Sequence, residues 1–181
     1  TANIITSLTA GSFFIGYLNY LGASSQYCAV IGAIPQLGSI LQMFSPYIFE
    51  RLKHRKLLIC ISCFLFRFSI STVIVVPYLI TDKIPRLTAI MIIYTFGFLA
   101  AGFVTPGLSN WNLSVAPEVK RGRFLAIKDV VAMFSVAIVS ILIGRMLDHY
   151  TMGNKSMIGF SIMFGVSLVI SILDFILLSH I

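Results

Sequence analysis

Six long apolar stretches, separated by short polar breaks, run along the chain. They are Asn3–Leu21, Gln26–Phe49, Leu57–Ile80, Arg86–Asn110, Phe124–Leu147 and Met157–Ser179. Each is close to the roughly 20 residues that a helix needs to cross the hydrocarbon core of a bilayer. Backbone groups in lipid have no water to bond, so such segments must be helical. The breaks, at residues 22–25, 50–56, 81–85, 112–123 and 148–156, leave no room for a soluble domain. Breaks this short make successive helices antiparallel neighbours. The expected architecture is an all-α membrane protein, a single six-helix transmembrane bundle over residues 1–181.

Composition agrees with that pattern. The chain is 58% hydrophobic and 10% charged, and its mean hydropathy is +0.98. A net charge of +7 could suggest a nucleic-acid partner in a soluble protein. Here the basic residues gather in short loops, so they report topology instead. One set of loops carries Arg51, Lys53, Arg55 and Lys56, then Lys120, Arg121 and Arg123, with Lys128 just inside the next span. The opposite loops carry Lys83, Arg86 and Lys155, with Arg145 near a helix end. Positive residues stay inside, so both chain ends and the loops at 50–56 and 112–123 are expected on the cytoplasmic side of the plasma membrane. The first apolar run has no basic segment ahead of it and reads as a span, not a signal peptide. The chain does not begin with Met, so a longer protein is expected.

Several spans carry small or polar residues at helical spacing. Thr9, Ser12, Gly16 and Asn19 do so on the first, and Cys28, Gly32, Pro35, Ser39, Gln42 and Pro46 on the second. The fourth has Tyr94, Ala101, Thr105 and Asn112, flanked by Gly97 and Gly102, with Pro106 expected to bend it. The fifth has Asp129, Met133, Val136, Ser140 and Gly144. Small residues let helices approach closely, so packing accounts for most of these positions. For Asn19, Gln42 and Asn112 packing and a water-filled cavity stand level.

Arg67 falls midway along the third span. A charge there costs at least ~2.5–3.5 kcal/mol on insertion scales, so it must face a bundle interior, a cavity or a partner. Two uses remain open, a structural ion pair or a contact to an anionic or polar substrate. Asp174 is the other acid well inside a span, but it is predicted nearer the cytoplasmic side. A direct Arg67–Asp174 pair therefore requires helix tilts that close the offset.

The remaining chemistry is sparse. Cys28, Cys60 and Cys63 lie within apolar runs, and the Cys60–Cys63 spacing has no second ligand pair to complete a zinc site. They read as packing residues, with no metal and no cofactor. His54, His149 and His180 lie at span ends, and there is no GxSxG and no paired intramembrane Asp, so an enzyme is not expected. The sequons at Asn112 and Asn154 carry no weight.

The segment Pro46–Lys56 resembles the signature of the major facilitator superfamily of secondary transporters, which lies between helices two and three. That signature runs Gly-x-x-x-Asp-Arg/Lys-x-Gly-x-Arg-Lys/Arg. Glu50 stands at the acid, Arg51 at the basic position and Arg55-Lys56 at the terminal pair, while Pro46 and Lys53 replace the two glycines. Gly22-Ala23-Ser24, Pro35 and Arg121-Gly122-Arg123 are also similar to transporters of this group. The pattern from Gly144 to Asp148 repeats the layout of Pro46 to Glu50 on the opposite face, as an inverted repeat would. The resemblance implies two three-helix repeats, near 1–80 and 86–181, forming the N-terminal half of a twelve-helix chain.

It further implies alternating access for a small solute, with a coupling ion left open. Helices one and four would line the cavity, which adds Asn19, Tyr94, Thr105 and Asn112 to Gln42 and Arg67 as cavity candidates. Glu50, Arg51, Arg55, Lys56, Arg121 and Arg123 would form a cytoplasmic latch, and two and five would face the second half. The family places helix three at the periphery, which favours a structural Arg67. No charge lies between Arg86 and Glu118, and no acid lies in the middle of spans one or four; a proton-coupled drug antiporter is disfavoured. The alternatives are a non-transporting assembly or sensory module, and a half-transporter that works as a homodimer.

Overall fold

The structure, a computed structural model, describes residues 2–47, 55–115, 121–153 and 155–180. Among them there are helices and turns and no strand. In order they are α1 (Ala2–Ala10), α2 (Ser12–Tyr20), α3 (Ser25–Ile40), α4 (Arg55–Thr72), α5 (Val76–Leu79), α6 (Lys83–Val115), α7 (Arg121–Met152) and α8 (Ser156–His180). Among the described residues four stretches are long and apolar enough to cross a membrane: Leu58–Leu79, Lys83–Asn110, Arg121–Met152 and Ser156–Ile176. They mark a membrane-embedded protein.

The first two expected spans take a different form. Gly11 adopts an extended conformation (φ −98°, ψ −151°) and splits the first into the nine-residue helices α1 and α2. Glycine has the weakest hold on helical geometry after proline, so the break falls there. The second is the 16-residue α3 followed by a 3₁₀ turn at Leu41–Met43. The third contains a 3₁₀ turn at Val73–Val75 before α5. Pro77, near the start of α5, cannot donate to the carbonyl four residues back, and the chain tightens ahead of it.

The turn between α2 and α3 is built by its sequence. Gly22 has φ +80°, a region that favours glycine. Its N–H bonds Asn19 O (2.9 Å), and the Ala23 N–H bonds Leu18 O (3.0 Å), the paired closure of a Schellman motif. Arg86 Nη2 donates to Leu21 O at 3.1 Å, a cation at a helix C-terminus. Ser24 then caps α3, accepting from the Tyr27 N–H at 3.2 Å.

Beneath this turn lies an aromatic core. Phe14 stacks on Tyr94 with centroids 4.5 Å apart and planes 8° apart. Tyr17 meets Phe160 and Phe164 at 5.4 and 5.2 Å. These rings join α2, α6 and α8, and Tyr17 also donates to Val73 O (3.4 Å). The opposite end holds a smaller cluster of Ile59, Cys63 and Val104.

Glycines on α6 set the helix spacing. A Cβ on Gly97 would lie 3.3 Å from Ile70 Cγ1 of α4. A Cβ on Gly102 would overlap Gly38 O of α3, and one on Gly38 would sit 2.7 Å from Phe98 O. Backbone therefore meets backbone where α3 crosses α6. Many hydroxyls in the helices bond their own backbone four residues back, as Thr95 does to Met91 O and Ser135 to Val131 O. Each such hydroxyl has its donor satisfied within its own helix.

Candidate functional site

A cavity of about 320 Å³ opens between α1, α3, α4 and α6. Its residues follow helical spacing on each wall. Pro35 and Ser39 come from α3 and Gln42 from the 3₁₀ turn that follows it, and Cys63, Phe66 and Arg67 come from α4. Phe98, Ala101, Thr105 and Leu108 face it from α6, and Asn3 and Thr6 from α1. Gly38 and Gly102 hold α3 and α6 together at one edge, so the hollow lies beside a fixed crossing.

Arg67 is 4% exposed and forms an ion pair with Asp174 of α8. The tilts of α4 and α8 thus close the offset expected from the sequence. Ser171 and Ser167 precede Asp174 on the same face of α8, and all three are buried. On α4, Ser71 lies one turn from Arg67 and is fully buried. The pair is thus the charged part of a polar seam between α4 and α8. Removing one member of a buried pair leaves an uncompensated charge, which costs about 3–5 kcal/mol.

The cavity brings together Gln42, Arg67 and Thr105 from the sequence candidates. Thr105 donates to Ala101 O at 2.7 Å and Ser39 to Pro35 O at 3.4 Å, so each offers lone pairs rather than a proton. Two candidates lie elsewhere. Tyr94 is 1% exposed and stacked in the aromatic core. Asn19 is exposed and accepts from Cys28 Sγ at 3.4 Å. The stripe from Thr9 to Asn19 is cut by Gly11: Thr9 is buried and bonded to Ile5 O, while Ser12, Gly16 and Asn19 are exposed.

The side chain of Asn112 lies outside the described residues, as do Glu50, Arg51 and the side chains of Arg55 and Lys56. Of the latch candidates, Arg121 is half-buried and Arg123 exposed at the start of α7.

Asn3 and Thr6 were not singled out by the sequence. They stand three residues apart, a spacing that places both on one helix face, and this was the available signal. They also border a second hollow, an open groove of about 540 Å³ between α1 and α7 lined by Ser7, Met133 and Val136. Beyond that groove Ser7 and Ser140 share a hydrogen bond of 3.3 Å.

Among the described residues no three His, Cys, Asp or Glu side chains converge as a metal site. No protein-family model, curated protein or solved structure matches this chain.

Proposed function

We propose that this chain is one half of a secondary transporter that moves a small solute through a membrane by alternating access. One observation carries the proposal: a cavity with a largely apolar lining lies among helices that include two of membrane length. The lining carries Ser39, Gln42, Arg67 and Thr105 as polar points, while aromatic rings fill the bundle near the α2–α3 turn. A hollow among the helices, beside a packed region, is where an alternating-access protein would hold its solute. A non-transporting packing bundle has no need of such a hollow.

The resemblance to the major facilitator superfamily gives this proposal its frame of two inverted three-helix repeats. In that frame α1 with α2, α3, α4 with α5, α6, α7 and α8 stand as helices one to six, and the hollow end is cytoplasmic. The second half would pack on α3 and α7. α7 is the least covered of the four long stretches, and Phe124, Val131, Phe134, Ile138 and Leu142 on it are exposed. The loop at 50–56 would latch that closure through Glu50 and the basic residues around it, including Arg121 and Arg123. Exposed pairs contribute only ~0–1 kcal/mol each, enough as a network to bias two states.

The test is solute counterflow with the full-length protein in proteoliposomes, together with Glu50→Ala and Arg55→Ala. Exchange of a labelled solute that slows in these variants while insertion is normal supports the reading. Vesicles that exchange no solute from a broad panel would refute it.

A further inference from the structure

Among the described residues one charged side chain lines the cavity, and its placement bears on what the hollow can hold. Arg67 is on the wall, whereas its carboxylate partner Asp174 is not among the lining residues. The guanidinium is thus the charged group within reach of a solute in the hollow. Asp174 engages Nη1 of Arg67, and the planar fork carries further N–H donors that suit a second carboxylate. Among the described residues no Asp or Glu lines the cavity, so none of them repels an anion there.

The opposite wall has the complementary chemistry. Ser39 and Thr105 give their protons to their own helices, so their oxygens accept from a donor on the solute. The Gln42 amide can donate or accept. Because Gly97 of α6 packs on Ser69 and Ile70 of α4, Arg67 stands nearly level with Ala100. Thr105 then lies about one and a half turns further along, roughly 8 Å. The volume of about 320 Å³ is near the lower end for small-molecule sites.

We propose that the cavity binds a small hydroxycarboxylate, with its carboxylate on Arg67 and its hydroxyls on Ser39, Gln42 and Thr105. This rests on the transport reading and names its substrate class. The Arg67–Asp174 pair keeps the arginine compensated while the site is empty. Arg67 then serves as a recognition group as well as a structural one.

The probe is gluconate against gluconamide, which differ in charge and share their hydroxyls. Binding is read by thermal unfolding of the full-length protein in nanodiscs, with sodium chloride as the ionic control. Gluconate should bind about tenfold or more tightly than gluconamide, the range for hydrogen bonds to a charged group. R67Q/D174N removes both charges together and strands neither; it should fold and reduce that preference to about twofold or less. R67K keeps the charge and loses the fork, and should weaken gluconate binding about tenfold. Equal protection by both probes overturns the proposal, as does a preference that survives in R67Q/D174N. Should the double variant fail to insert, unchanged gluconate affinity in R67K overturns it. Proteoliposomes separate this proposal from transport itself. Gluconate that binds without crossing defeats transport and keeps the site. A neutral polyol that crosses while gluconate neither binds nor crosses defeats the site and keeps transport.

Discussion

The two ends of the bundle differ in how they are filled. Around the α2–α3 turn, rings from three helices interlock, a Schellman motif closes the backbone and Arg86 caps a carbonyl. At the other end a three-residue cluster borders a hollow whose largely apolar wall carries a few hydroxyls, amides and one paired arginine. In lipid, burial of apolar surface gains little, because the tails are as apolar as the side chains. Close packing is then the main source of cohesion, and the ring-filled end holds most of it. The hollow end gives up that packing, and polar side chains border the space it leaves.

Substitutions at each end can break or sharpen this contrast. The largest effect belongs to Asp174→Ala, which leaves Arg67 buried without its acid and should cost about 3–5 kcal/mol. Paired with Arg67→Met most of that loss should be recovered, as thermal unfolding in detergent would report. Next comes Phe14→Ala at the filled end, which opens a void among the rings. Since the transfer part is small in lipid, about 2–3 kcal/mol from lost packing is expected. If it destabilises no more than Gln42→Ala, the two ends are not packed differently. Gly102→Ala pushes a methyl into Gly38 O and should cost about 1–3 kcal/mol as overpacking. A cross-link between cysteines flanking the crossing would form more slowly if α3 and α6 separate. Arg86→Ala removes one cap and should cost about 0.5–1 kcal/mol. The smallest effect is Gln42→Ala, within about 0.5 kcal/mol for stability, while solute binding falls. A stability loss there without a binding defect would make Gln42 a packing residue.

Charge and turn chemistry were legible in the sequence because they act locally. The break at residues 22–25 becomes the Gly22 turn, and the burial of Arg67 follows from its depth in an apolar run. Helix ends run further than hydropathy marks them: α6 begins at Lys83 rather than Arg86, and α7 extends from Arg121 to Met152 around the apolar Phe124–Leu147. Hydropathy measures contact with lipid, and a helix continues into the polar interface. What stayed hidden depended on tertiary geometry. Tyr94 fits either a cavity or a core by spacing alone, and Phe14 from a distant segment decides the matter. The Arg67–Asp174 pair depends on relative tilt, which no single helix encodes. Gly11 lies off the stripe of Thr9, Ser12, Gly16 and Asn19, so that stripe alone does not show that the helix breaks between Thr9 and Ser12, nor that Asn3 and Thr6 border the cavity.

That break at Gly11 has a mechanical consequence. α1 is a nine-residue rod joined to α2 by a single extended residue, and Asn3 and Thr6 border both the cavity and the groove beside α7. The rod is a shared partition. Ile5 and Leu8 on its other face are fully buried, so the packing that seats this short rod positions the wall of two compartments at once.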